Sequence, residues 1–338
     1  MQQKGGFVMV ETLYRGPRDA GEALDRLTSS EFTKTDNPAL KLGGQVLTQI
    51  LSGNRYGRVQ LLGDEIPILA NAHREARAYF GQPHEDKLRN RTPQGNIGYR
   101  IAGAAFNNAD RDNHDVNESG LYFGEDTVHL IPHRQNMQKF LDALEQFRSG
   151  PVRRIMGSTS VALTQLYQHN QGIPLGMEKD SATQSNCYTE PGSRRLLQIP
   201  HDDRVLATVI WVSAAGLEVN QGTEENPMFT PLETGPDEIL VMPGAILEFM
   251  TAGQFKGLIH QARNHDLELK SGQQPVSKDR ISLMSFTNPD LDKGPIEPYV
   301  PDKNNTKPDA VRKTIRGFVH TYYDGDPNEY FPTKPGDH

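Results

Sequence analysis

The sequence predicts an α+β fold in which a helical N-terminal region precedes a jelly roll of short antiparallel strands. The prediction rests on a change of pattern near residue 180. Before that point, apolar residues recur at the three- and four-residue spacing of amphipathic helices. After it, short runs rich in β-branched residues alternate with glycine, proline and asparagine, as in strands joined by turns.

Helical patterns dominate the first half of the chain. Residues 66–80 and 152–167 are each predicted to form a helix. Residues 136–147 place a set of apolar side chains on one helical face, namely Phe140, Leu141, Leu144 and Phe147. A strand is predicted at residues 56–62, between the helices. We therefore expect a helical N-terminal region over residues 1–180.

Strands dominate the second half. The predicted strands lie at residues 205–212, 238–242, 245–250, 257–263 and 280–286. They place the jelly-roll core within residues 181–300. The tail, residues 301–338, is predicted to contain a closing helix at 310–323, which could fold over the site as a lid.

Composition and charge exclude several classes of protein. No run of the 338 residues approaches the roughly 18 apolar residues of a membrane span, and the first residues lack the pattern of a secretion signal. A net charge of −7 without a long basic run argues against nucleic-acid binding. Cys187 is the only cysteine, so no disulfide can form within the chain. We expect a cytoplasmic monomer or weak homo-oligomer that acts on a small molecule, without nucleic-acid or membrane partners.

The first candidate site residues are His201 and Asp203. Residues two apart on a strand share a face, so the imidazole and the carboxylate would point the same way, with Asp202 opposite. One more histidine would complete the two-histidine, one-carboxylate metal site of non-haem Fe(II) oxygenases. A His-x-Asp triplet alone is weak evidence, because residues 84–86 contain another one.

The third metal ligand is predicted to be His260. It follows a turn, an apolar strand at 245–250 and a glycine turn, an arrangement that would return its strand to the side of His201. His265 is an alternative, but it lies an odd number of residues from His260, so an unbroken strand would turn it away.

Two further pairs of polar residues could bind carboxylates. Arg280 offers a planar guanidinium fork, and Ser282 adds a hydroxyl on the same strand face. Asn186 and Tyr188 also share a face, where they could hydrogen-bond a second carboxylate or a metal ligand. Arg263 competes with Arg280, although no serine lies two residues after it and no apolar strand follows it.

Together these segments resemble the isopenicillin N synthase-like branch of the Fe(II)/2-oxoglutarate dioxygenases. Residues 56–60 resemble the "GFF" strand of that family, residues 80–87 its "F-x-L-P-x-E-x-K" segment, and residues 97–99 the following "GY". In the second half, residues 186–188 match N-x-Y, residues 201–203 match H-x-D, and residues 280–282 match R-x-S, with His260 as the distal histidine. The order of the motifs agrees throughout. The connection at 261–279 is longer than is usual in the family.

The resemblance implies a cupin-like double-stranded β-helix core and an oxidoreductase that uses Fe(II), 2-oxoglutarate and O2. It implies iron on His201, Asp203 and His260, and 2-oxoglutarate held by Arg280, Ser282, Tyr188 and Asn186. The charges of Fe(II), Arg280, Asp203 and 2-oxoglutarate would then sum to zero, so the site could be buried. Because the carboxylate of Asp203 is present, halogenation is not expected. By analogy with the family, the substrate would lie near Tyr99, Arg100, Ser119, Tyr122 and Phe123.

The expected reaction is oxidation of an unactivated C–H bond of a small molecule, with release of succinate and CO2. Hydroxylation, desaturation and oxidative cyclisation all remain open, in amino-acid or natural-product biosynthesis. One alternative is a 2-oxoglutarate-independent Fe(II) oxidase or cyclase of the isopenicillin N synthase type. Another is a non-catalytic small-molecule binder on the same scaffold. Arg100 could pair with a substrate carboxylate or with an acidic group of the protein surface.

Overall fold

Two antiparallel sheets and a set of helices make up the part of the chain that the computed structural model describes. The predicted α+β class is therefore confirmed. The described residues are 16–92, 97–101, 118–122, 128–167, 181–188, 196–223, 225–268 and 280–289, and the side chains at 121 and 122 lie outside the description. The predicted closing helix at 310–323 and the tail also lie outside it.

Most of the described helices precede the second half of the chain. The described α-helices of the first half are α1 (Ala20–Thr28), α2 (Ser30–Thr33), α3 (Pro38–Gln49), α4 (Ile66–Phe80), α5 (His84–Leu88), α6 (Gln138–Phe147) and α7 (Arg153–Tyr167). Helix α8 (Ala245–Met250) lies in the second half. The helix predicted at 66–80 is confirmed at both ends, and those predicted at 136–147 and 152–167 are confirmed with small shifts of their starts. A π-helical turn, Arg148–Val152, joins α6 to α7 at Pro151, where the proline lacks the N–H that would continue the helix.

The strands form one large and one small sheet. They are β1 (Gly57–Gln60), β2 (Gly98–Arg100), β3 (Glu118–Tyr122), β4 (Ala182–Tyr188), β5 (Leu196–His201), β6 (Ala207–Val212), β7 (Leu217–Asn220), β8 (Phe229–Pro231), β9 (Glu238–Pro243), β10 (His260–Arg263) and β11 (Arg280–Thr287). The large sheet has the order β1-β9-β6-β11-β4-β3-β2, and the small sheet has the order β5-β10-β7-β8. From β4 onwards the chain crosses repeatedly from one sheet to the other.

One predicted strand is wrong: residues 245–250 form helix α8. Five of its six residues are buried, so the segment is almost continuously apolar and carries neither the period of a strand nor that of a helix. The helix begins after the extended Gly244 and is closed by a hydrogen bond from the Gly253 amide to the Glu248 carbonyl, with φ of +80° at Gly253. Ala252, with φ of +50°, precedes Gly253 in the same left-handed region, and a bond from residue 253 back to residue 248 is a common way to end a helix.

The core has two layers. One face of the large sheet packs against the helices through alternate residues such as Val209, Trp211 and Leu283. The opposite face meets the small sheet through Ile210, Val212 and their neighbours. Since paired residues of antiparallel strands share a face, this register also decides which polar side chains enter the space between the sheets. No helix in the described part of the chain is long and apolar enough to cross a membrane.

Candidate functional site

His201 and His260 are direct neighbours on adjacent strands of the small sheet. The last residue of β5 pairs with the first residue of β10, and the two imidazole ring centroids lie 4.4 Å apart. His260 also pairs with Val219, which belongs to the core between the sheets, so this pair of rings enters the same space. The antiparallel register brings together two histidines that are far apart in sequence.

Hydrogen bonds to the backbone orient both imidazoles. His201 Nδ1 lies 2.8 Å from the Ile199 carbonyl, and His260 Nδ1 lies 3.0 Å from the Leu258 carbonyl. A carbonyl can only accept, so each Nδ1 carries the proton and each Nε2 offers a lone pair. Both rings are therefore in the tautomer that a metal ligand needs, with the lone pair on Nε2.

Asp203 brings a carboxylate to the same point, although it lies just beyond the end of β5. Its oxygens are 3.7 Å from His201 Nε2 and 3.8 Å from His260 Nε2. The hydroxyl of Thr208 donates to Asp203 Oδ2 at 2.5 Å, which fixes the carboxylate. One ligand atom from each of the three residues lies within 4.8 Å of the other two, so the group could hold a metal ion. Two imidazoles and a carboxylate suit Fe(II) and leave further coordination positions for other ligands.

Arg280 is a buried cation with unused hydrogen-bonding capacity. Its side chain is on β11, the residue is 1% exposed, and its guanidinium carbon lies 4.8 Å from the centre of the Tyr188 ring. Its Nε donates to the Ala214 carbonyl at 3.4 Å, while Nη1 has no hydrogen-bond partner within the described part of the chain. An unsatisfied buried donor is costly, so the site fits an anionic ligand.

The other predicted carboxylate-binding residues line up with Arg280 across the large sheet. Tyr188 is the register partner of Arg280, and Asn186 is the partner of Ser282, so these four residues share the face toward the small sheet. Asn186 and Ser282 are buried, and the Gln184 amide donates to the Asn186 side-chain oxygen. The structure thus brings together the four side chains that the sequence singled out.

The alternatives Arg263 and His265 are engaged elsewhere. Arg263 Nη1 lies 3.7 Å and His265 Nε2 lies 3.4 Å from Oε1 of the buried Glu218. Gln261 donates to the other oxygen of Glu218 at 2.6 Å. Glu218 is next to Val219 on β7 and therefore points to the opposite face of the small sheet. This geometry favours Arg280 and His260 over their competitors.

The predicted substrate residues separate into two groups. Arg100 pairs with Ser119, and Ser119 pairs with Asn186, so these side chains share the inner face of the large sheet. Tyr99 faces the helices, where its ring contacts Tyr79 edge-on at 6.4 Å. Burial and the nearby Glu118 carboxylate raise the pKa of Tyr99. The Tyr122 side chain and Phe123 lie outside the described residues.

Sequence reasoning missed two side chains at this site. Thr208 holds Asp203, and Gln198 Nε2 lies 3.2 Å from His201 Nε2. Thr208 has no signal in the sequence beyond its position early in β6. Gln198 is an odd number of residues from His201, so a regular strand would have placed the two on opposite faces.

No family model matches the chain, and no curated protein matches it. Solved structures do match. A full-length Neurospora crassa protein in complex with alpha-KG and thymine is 15% identical, over 88% of this chain and 95% of its own, with a TM-score of 0.63. A 2OG-Fe(II) oxygenase family protein from Caulobacter crescentus is 14% identical over 86% and 96%, with a TM-score of 0.63. JOX2 in complex with 2OG, Fe and JA is 18% identical over 79% and 78%, with a TM-score of 0.57. The chain shares the fold of these proteins.

Proposed function

We propose that this chain is an Fe(II)- and 2-oxoglutarate-dependent oxygenase that oxidises an unactivated C–H bond of a small molecule and releases succinate and CO2. One observation carries the proposal. The cluster of His201, Asp203 and His260 lies at the small sheet, and the large sheet faces it with the buried Arg280, whose Nη1 has no hydrogen-bond partner among the described residues. The metal cluster and the cation would anchor the two ends of one dicarboxylate.

The strand order supports a double-stranded β-helix for the core. From β4 to β11 the strands fall in the large sheet in the order β9-β6-β11-β4, and in the small sheet in the order β8-β7-β10-β5. The chain therefore winds between two four-stranded layers, as in a cupin-like jelly roll. Among the solved structures of this fold, JOX2 holds 2OG, Fe and JA, and the Neurospora crassa protein holds alpha-KG and thymine.

The residues present fit both absent groups. Two Nε2 lone pairs and one carboxylate match the donor set of a ferrous ion with open positions. Nη1 of Arg280, which has no hydrogen-bond partner in the described part of the chain, suits a carboxylate ligand. When bound, Fe(II) and 2-oxoglutarate would supply the oxidising chemistry with O2.

The residues of the protein would hold and orient the bound ligands and shield them from water. Arg280 and Ser282 would bind the far carboxylate, while the Tyr188 ring keeps the guanidinium plane in place. Asn186 would contact the same ligand or the substrate from the neighbouring strand. Thr208 would keep one oxygen of Asp203 occupied, so the other is directed to the metal. The facing sheets would exclude water from the reaction.

We propose that the substrate lies against the inner face of β2 and β3. The row formed by Arg100, Ser119 and Asn186 runs from the far edge of the sheet toward Ser282. Adjacent strands are about 4.8 Å apart, so Arg100 is roughly 14 Å from Ser282 along this row, which leaves room for a small molecule between them. Tyr122 and Phe123 remain candidates on position in the chain, whereas Tyr99 would act only by supporting this wall from the helical side.

The reaction itself provides the test. Purified protein supplied with Fe(II), 2-oxoglutarate and O2 should form about one succinate for each O2 consumed, even in slow turnover without substrate. His201→Ala and Asp203→Ala should abolish succinate formation, whereas His129→Ala, at an exposed position that is not among the proposed site residues, should leave it unchanged. Product formation without succinate would instead indicate the 2-oxoglutarate-independent oxidase. Binding of a small molecule that persists in His201→Ala without Fe(II) would indicate a non-catalytic binder.

A further inference from the structure

Gln198 connects the two halves of the site. Its side-chain amide Nε2 lies 3.2 Å from His201 Nε2, and its Oε1 accepts a hydrogen bond from the Tyr188 hydroxyl at 3.4 Å. Tyr188 in turn packs against the guanidinium of Arg280. The amide therefore lies between the cluster that could hold the metal and the buried cation.

A β-bulge puts Gln198 on the same face as His201. In the pairing of β5 with β10, His201 is opposite His260 and Gln198 is opposite Ala262, so three steps on β5 match two steps on β10. Ile199 and Pro200 on β5 therefore lie opposite a single residue of β10. A proline is tolerated there because a bulge breaks the hydrogen-bond ladder. Since His260 and Ala262 share a face, so do their partners.

The chemistry of the three groups fixes the direction of both hydrogen bonds. His201 Nδ1 donates its proton to the Ile199 carbonyl, so Nε2 has only a lone pair and must accept from the Gln198 amide. The other end of the amide is then the oxygen, which accepts from Tyr188. The lone pair on His201 Nε2 cannot serve the amide and a metal at once. Metal binding at His201 would therefore free one N–H of Gln198.

We propose that the released amide of Gln198 binds 2-oxoglutarate, by donating to the carboxylate that lies nearest the metal. The inference rests on the proposed function above. A dicarboxylate held by the metal at one end and by Arg280 at the other would pass beside Gln198, because the amide hydrogen-bonds both His201 and Tyr188. Because this donor would become free only when the metal binds, we expect 2-oxoglutarate to bind after the metal.

The test separates metal binding from 2-oxoglutarate binding. Mn(II) replaces Fe(II) to prevent oxidation, and its affinity is measured first, followed by calorimetric titration of 2-oxoglutarate into the Mn(II)-loaded protein. Gln198→Leu should bind Mn(II) at least as tightly as the wild type, because no hydrogen bond to His201 has to break. It should bind 2-oxoglutarate about tenfold more weakly, as expected for one lost hydrogen bond to a charged group. Gln198→Glu should weaken 2-oxoglutarate further by repulsion.

A coupling measurement distinguishes this role from a structural one. Tyr188→Phe removes the hydroxyl that orients the amide, so its effect on 2-oxoglutarate affinity should shrink when Gln198 is already leucine. Gln60→Leu, an exposed strand glutamine on β1, is the matched control and should change neither affinity. The inference fails if Gln198→Leu binds 2-oxoglutarate as the wild type does, or if the affinities for Mn(II) and 2-oxoglutarate fall together. If the wild type binds neither ligand, the proposed function fails with it.

Discussion

Replacing Arg280 with methionine separates the cost of its burial from its use. The residue is 1% exposed, and no aspartate or glutamate of the described chain forms an ion pair with it. Its described contacts are a long hydrogen bond to the Ala214 carbonyl and the Tyr188 ring. A buried charge whose counter-ion is supplied only by the ligand destabilises the ligand-free protein. Methionine fills much of the same volume without that charge.

The expected magnitudes follow from this burial. Removing one partner of a buried ion pair costs about 3–5 kcal/mol. For 2-oxoglutarate this corresponds to a dissociation constant raised roughly 150- to 4,000-fold in Arg280→Met. The ligand-free protein, by contrast, should be as stable as the wild type or more stable, because a buried ionic group is replaced by an apolar one.

Thermal unfolding of the Mn(II)-loaded protein, with and without 2-oxoglutarate, measures both effects. At a ligand concentration one hundred times the dissociation constant, the wild type should gain about 2.7 kcal/mol, and Arg280→Met at that same concentration almost nothing. Arg263→Met serves as the control, since Arg263 pairs with Glu218 and should keep the stabilisation by 2-oxoglutarate. A dissociation constant of Arg280→Met for 2-oxoglutarate within about threefold of the wild-type value, or an unfolding temperature well below that of the wild type without ligand, would refute this role of Arg280.

Two further predictions concern the supports of the site. Thr208→Val removes the hydrogen bond to Asp203 and should weaken Mn(II) binding about 10- to 100-fold in a direct titration, while the exposed Thr230→Val should not. An unchanged affinity would mean that the carboxylate needs no support. Lys87→Met breaks the buried ion pair with Glu118 and should lower the free energy of unfolding by about 3–5 kcal/mol, as measured by urea denaturation. A loss under about 1 kcal/mol would show that the pair is well solvated.

Much of the fold and of the site could be predicted because simple periodicities control them. The helix at 66–80 follows from its spacing of apolar residues, and the common face of Arg280 and Ser282 follows from the two-residue period of a strand. The convergence of His201 and His260 needed one more step, the pairing of two strands far apart in sequence. The motif order supplied that step, and the register places the two residues opposite each other.

The remainder depends on local departures from those periods. The helix at residues 245–250 was predicted as a strand because a short run that is apolar on all sides carries no period to decide between helix and strand. Gln198 was missed because the bulge at Pro200 reverses the face expected from counting. Asp203 lies beyond its strand, and the carbonyl of Asp203 accepts from the Ala245 amide, a contact between segments that no spacing reveals.

The central claim is that His201, Asp203 and His260 hold one ferrous ion to which 2-oxoglutarate is added. Anaerobic titration with Fe(II) and then with 2-oxoglutarate, followed by absorption spectroscopy, tests it most directly. We predict a metal-to-ligand charge-transfer band that appears only with both Fe(II) and 2-oxoglutarate present and disappears in His260→Ala. A wild-type protein that gives no such band, or a band that His260→Ala leaves at full intensity, would contradict it.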